Sequence, residues 1–157
     1  MQNQLEINAP VERVFEYYTN PDNLKESGPH DLVKESENVS GQKSEEGCEM
    51  KVTGEYMGKK DEMSLDVVQK EQNKRLVTKQ TKEGPFQRWE SVQEFQSSGN
   101  GNTSTTTTTT LVNHTINYEL PTTGKIANVL TGSQAENKIR QGIEQAAQTV
   151  KQRLESA

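Results

Sequence analysis

The apolar residues of this chain change their spacing twice, and those changes constrain its fold more than any single motif does. Val11, Val14, Phe15 and Tyr18 recur at intervals of three and four, which predicts a helix with one apolar face. From Cys48 the interval becomes two. Cys48, Met50, Val52, Gly54 and Tyr56 alternate with Glu49, Lys51, Thr53 and Glu55, as expected of a strand buried on one face. Towards the end Ile139, Ile143, Ala146, Ala147, Val150 and Leu154 return to helical spacing, with Lys138, Arg140, Gln141, Glu144, Gln145 and Gln148 off the stripe. A helix from Ser133 to Glu155 would span on the order of 35 Å, enough to cross a whole sheet.

Local chemistry sharpens these boundaries. Pro10 suits a first helical position, which needs no amide hydrogen, and Glu12 favours the positive end of the helix dipole. Asn20 before Pro21 repeats the device and predicts a second, shorter helix. Gly58 to Asp61 predicts a turn, after which Met63, Leu65 and Val67 continue the alternation, so residues 46–71 form a long antiparallel hairpin. Asn73-Lys74 precedes a short strand at Leu76–Thr78, and Glu83-Gly84-Pro85 separates it from a strand carrying Phe86, Trp89, Val92 and Phe95. Strict alternation splits those four between two faces, so either a bulge intervenes or both faces are partly covered. The threonine run Thr105 to Thr110 suits a pleated strand and leads into Val112, His114, Ile116, Tyr118 and Leu120. Strands in series followed by a helix imply an α+β layer.

At 157 residues the chain is expected to form one domain, 1–157. Only 29% of its residues are hydrophobic, and Leu, Ile, Val and Phe fall below the roughly 20% at which disorder becomes an alternative. A net charge of −5 is too mild for strong self-repulsion, and the apolar residues are periodic, so a folded domain with a thin core is expected. The acidic balance, without a concentrated Lys/Arg face, excludes a nucleic-acid partner. No stretch approaches the ~20 apolar residues of a membrane span, and no signal-peptide pattern is present, so a cytoplasmic monomer without stable membrane insertion is expected.

Groups able to do chemistry are few. Cys48 is the only cysteine, which rules out an internal disulfide and a cysteine-rich zinc site. His30 and His114 show no spacing that would pair them with Cys48 or with acidic residues, so neither a metal nor a cofactor is assigned. Ser91 and Ser104 have no identifiable base partner, and no nucleophile elbow is present. Glu49, Glu55, Asp66 and Glu90 alternate with apolar residues and are most simply a solvated sheet face. His114 shares the apolar register of its strand and can face a cavity, where it would exchange a proton with a ligand; a satisfied or solvent-facing side chain is the alternative.

The opening Ile7-Asn8-Ala9-Pro10-Val11-Glu12-Arg13-Val14-Phe15-Glu16-Tyr17, continued by Pro21-Asp22-Asn23-Leu24, resembles the amino-terminal hallmark of the START-like (SRPBCC) superfamily. The resemblance is to its polyketide cyclase/dehydrase and coenzyme-Q-binding branch. A second anchor is Trp89 to Phe95, the Gly-Asn turn, Tyr118-Glu119-Leu120-Pro121 and the amphipathic helix. The resemblance implies a helix-grip fold, with a curved antiparallel sheet of about seven strands wrapped around a long C-terminal helix. Two short helices would follow the first strand, and the whole would enclose a small-molecule cavity. Its candidate walls are Tyr18, Tyr56, Leu65, Trp89, Thr108, Val112, His114, Ile116 and Tyr118, with Ile139, Ile143, Ala147 and Val150 as a helical lid.

Lys25 to His30 stand where such proteins often carry a bulky aromatic, and the strands are unusually polar, which argues against a strongly lipophilic ligand. The expected function is binding or carriage of a small hydrophobic or amphipathic molecule. Two alternatives stand beside it. One is a polyketide cyclase, aromatase or dehydratase that uses His114 and Tyr118. The other is a protein-interaction module like the activator domains of a heat-shock chaperone.

Overall fold

In the computed structural model the residues described are 1–28, 33, 35–38, 48–56, 59–82, 84, 86–97, 109–120 and 132–156, with side chains except at 21, 35–38, 55, 56, 59 and 132–135. Strand β1, Gln2–Ile7, runs into helix α1, Val11–Thr19, whose cap position is held by Pro10 in an extended conformation. Val14, Phe15 and Tyr18 are buried, as the spacing predicts. Asn20 ends α1, and its side-chain oxygen accepts the amide of Asp22 at 3.0 Å. That bond opens a single 3₁₀ turn, Pro21–Asn23, which continues into helix α2, Leu24–Ser27.

Strand β2, Glu35–Asn38, carries no apolar alternation and is held by its pairing with β3, Glu49–Tyr56. Strand β4, Lys59–Glu71, begins earlier than expected, so Lys59, Lys60 and Asp61 are already paired with Tyr56, Glu55 and Gly54 instead of forming the turn. The turn into β5, Arg75–Gln80, places Asn73 at φ 61°, a left-handed conformation that asparagine tolerates better than most residues. Strand β6, Arg88–Ser97, and strand β7, Thr110–Glu119, complete a seven-stranded antiparallel sheet in the order β1-β7-β6-β5-β4-β3-β2.

Strand β6 has no bulge. Phe86 lies before its first residue and packs on Trp89 at 4.8 Å between ring centres, while Val92 points to the opposite face and pairs with Val77, which is also buried. Among the described residues the one register shift lies in β4 between Val67 and Gln69, beside the exposed Val68. Thr110 opens β7 fully buried, donating its hydroxyl to the carbonyl of Ala9 at 2.7 Å. Thr105 to Thr108, His30, Pro121 to Gly124 and the helical segment expected at Ile126 to Leu130 lie outside the described residues.

Helix α3, Gly132–Glu155, crosses the inner face of the sheet. Its buried stripe joins two apolar clusters. One gathers Phe15, Tyr18, Phe95, Val112, Val150 and Leu154; the other gathers Met63, Leu65, Phe86, Trp89, Ile116, Ile139 and Ile143. Phe95 receives both Phe15 and Tyr18 edge-on, at 5.2 Å and 5.4 Å. The opposite face carries ion pairs such as Lys51 with Glu62 and Lys79 with Glu90. No helix among the described residues is long and apolar enough to cross a membrane.

Candidate functional site

Between the two apolar clusters the inner face turns polar. The register pairs Leu76 with Gln93, Thr78 with Ser91, Gln93 with His114 and Ser91 with Ile116, so Thr78, Ser91, Gln93 and His114 form a band across β5, β6 and β7. A cavity of about 50 Å³ lies over this band. Its floor also includes Met50, Met63, Leu65, Val67, Leu76 and Trp89, and its roof is Tyr18, Asn20, Leu24, Ser27, Gly28 and Val33. A pocket of about 10 Å³ shares Tyr18, Ser27 and His114 with it and extends to Val112, Ile143, Ala146 and Ala147.

The larger space is thus roofed by the α1–α2 segment, while among the described residues α3 lines only the smaller one. Tyr18, Leu65, Trp89 and His114 line the main cavity, and Val112, Ile143 and Ala147 line its extension. Ile116, Ile139 and Val150 are packed in the clusters without lining either. Tyr118 joins the aromatic group of Phe86 and Trp89, at 6.1 Å and 6.3 Å, and is not a wall of either space. Thr108 and the side chain of Tyr56 lie outside the described residues.

The polar members Ser27, Thr78, Ser91 and Gln93 escape a reading based on apolar periodicity. Their signal is parity, since Ser91 and Gln93 share the face of Trp89 and Phe95. Ser91 does have a base partner, because its Oγ lies 2.7 Å from Nε2 of His114. The two residues are diagonal neighbours on adjacent strands, a relationship that only the register reveals.

Burial dominates the electrostatics. His114 is held down to about 4 by desolvation, so its imidazole is neutral at physiological pH. The phenol of Tyr18 is pushed up by burial and by neighbouring Tyr17. Tyr17 is raised by partial burial and by its hydrogen bond to the Glu26 carboxylate, which also pairs with Arg153 at 3.1 Å and ties α2 to α3. Among the described residues, no Asp, Glu, Lys or Arg lines the cavity, and no cluster of three His, Cys, Asp or Glu side chains is placed to hold a metal. A neutral imidazole beside a hydroxyl can accept or donate a hydrogen bond, but no carboxylate orients it among the described residues.

No protein-family model matches the chain, and no curated protein matches it in sequence. Solved structures do match its fold. A START superfamily protein from Mycobacterium smegmatis is 16% identical, with a TM-score of 0.68, over 99% of this chain and 97% of that one. The major latex-like protein 151 from Panax ginseng is 13% identical, with a TM-score of 0.63, over 94% of each chain. A protein from Thermus thermophilus is 21% identical, with a TM-score of 0.67, over 98% of this chain and 95% of that one. The fold is the START/Bet v 1-like helix-grip fold.

Proposed function

We propose, with the START-like fold as premise, that the protein binds and carries a small, partly apolar molecule in the cavity beneath the α1–α2 segment. The observation that carries this reading is the unfilled space between the two apolar clusters, in an interior where close packing leaves few such voids. Apolar walls with a few convergent polar groups are the usual composition of a small-molecule site. A volume of about 50 Å³ has room for water, whereas a cavity known to take benzene measures roughly 150 Å³. Binding therefore includes displacement of the α1–α2 roof.

An enzymatic reading draws on the Ser91–His114 pair. It ranks second because a general base works best with a pKa near the operating pH, and burial moves His114 well below it. The test is a backbone amide NMR titration with sterols, fatty acids, quinones, flavonoids and aromatic polyketides. Saturable shifts in residues 18–28, 89–93 and 114 are expected from at least one class. A complete absence of shifts at those positions overturns the reading.

A further inference from the structure

The lining of the cavity is mostly apolar but carries several buried polar side chains. Tyr18, Ser27, Gln93 and His114 are each at most 8% exposed. Within this lining Ser91 Oγ meets Nε2 of His114 at 2.7 Å, and Tyr18, Ser27 and Gln93 bring further hydrogen-bonding groups to the same space. Buried polar groups are almost always paired with protein or ordered water, so polar side chains gathered on one small space favour an occupant that pairs with them. Water can do this in the empty state, and a ligand that replaces it must reproduce its hydrogen bonds.

Charge narrows the occupant further. Among the described residues, the lining contains no cation to receive a carboxylate and no anion to receive an ammonium group. Sheet charges close by, such as Lys79 and Glu90, pair with each other on the outer face. Burying an ion here without a partner carries a heavy desolvation cost, while a hydroxyl or carbonyl meets both donors and acceptors. We infer that the cavity selects an uncharged ligand, an apolar body bearing a hydroxyl or carbonyl group held by Ser91, Gln93 and His114, and excludes carboxylates and ammonium compounds of the same shape. The inference rests on the binding function proposed above and adds the chemical class of the ligand.

Two trios, each a hydroxyl compound with its fluoro isostere and the corresponding carboxylate, test it on the full chain at neutral pH by amide NMR titration: phenol, fluorobenzene and benzoate, and 2-naphthol, 2-fluoronaphthalene and 2-naphthoate. In at least one trio the hydroxyl compound is expected to saturate, with shifts centred on residues 91–93 and 114. Its fluoro isostere should bind about tenfold more weakly, and the carboxylate should not saturate. A carboxylate or fluoro compound within about threefold of its hydroxyl partner overturns the inference but leaves cavity binding intact. Silence from all six, and from the broader panel, removes the binding function itself.

Gln93→Leu is expected to narrow the hydroxyl-to-fluoro difference to about threefold or less. Ser91→Ala, the milder change, serves if Gln93→Leu fails to fold. An unchanged difference in a folded variant overturns the assignment of these residues.

Discussion

Ser91 and His114 meet across the β6–β7 pair although neither is the other's register partner: Ser91 faces Ile116, His114 faces Gln93, and the diagonal places Oγ 2.7 Å from Nε2. Diagonal contacts of this kind lie within reach on one face of a sheet. Here the contact puts a neutral imidazole within the polar band that lines the cavity.

The pH dependence of stability follows from that burial. The folded pKa of His114, about 4, lies below its ordinary 6.5, so folding favours the neutral form. Above pH 6.5 the imidazole is neutral in both states, and the full stability is present. As pH falls from 6.5 towards 4 the unfolded chain takes up the proton first, and stability drops by about 3 kcal/mol at full extent. Glu90 and Glu155, both lowered by hydrogen bonds, add losses only below their ordinary carboxylate range. Urea denaturation should therefore show a falling midpoint between pH 6.5 and 4.5, and His114→Gln should flatten that interval.

Phe15 is 1% exposed and stands edge-on to Phe95, with Val14, Tyr18 and Val150 in the same cluster. Phe15→Ala should cost about 3–5 kcal/mol by opening a space the helix cannot close. Chemical denaturation should show a lower midpoint with an unchanged slope.

The Glu26–Arg153 pair is far less consequential, since the side chains are 33% and 65% exposed. Arg153→Ala should change stability by less than about 1 kcal/mol. A larger loss in the same denaturation assay would show that the pair holds the α2 roof in place.

Gly28 closes the roof. A Cβ there would stand 2.8 Å from Cγ2 of Val33 and 2.9 Å from the carbonyl oxygen of Leu24, and a backbone oxygen cannot rotate away. Gly28→Ala should destabilise by about 1–3 kcal/mol and shift the amides of residues 24–28. The double change Gly28→Ala with Val33→Ala should recover only part of the loss, because the carbonyl contact remains.

Apolar spacing makes α1, the β3–β4 pair, β7 and α3 legible, because each buries one face and leaves the other in water. Strand β2 is not legible: Glu35, Ser36, Glu37 and Asn38 have no apolar period, and backbone pairing with β3 defines it. The turn before β4 is misplaced by residue type, because Lys59 to Asp61 look turn-like but pair in the ladder. At the site, residues chosen for apolarity fall partly into solid core, as Ile139 and Val150 do, while Ser91, Gln93 and Thr78 pass for a solvated face. Polarity in a strand does not say which face is covered, and here the roof comes from a segment far away in sequence.

The sheet order has a consequence for how the molecule assembles. Among the described residues β1 pairs only with β7, Gln2 opposite Thr115 and Ile7 opposite Thr110, so the first of the strands waits for the last. Such distant pairing slows folding. During the wait β1 is an unpaired edge, and its alternating exposed Gln2, Gln4 and Glu6 give a neighbouring chain little apolar surface on which to add a strand.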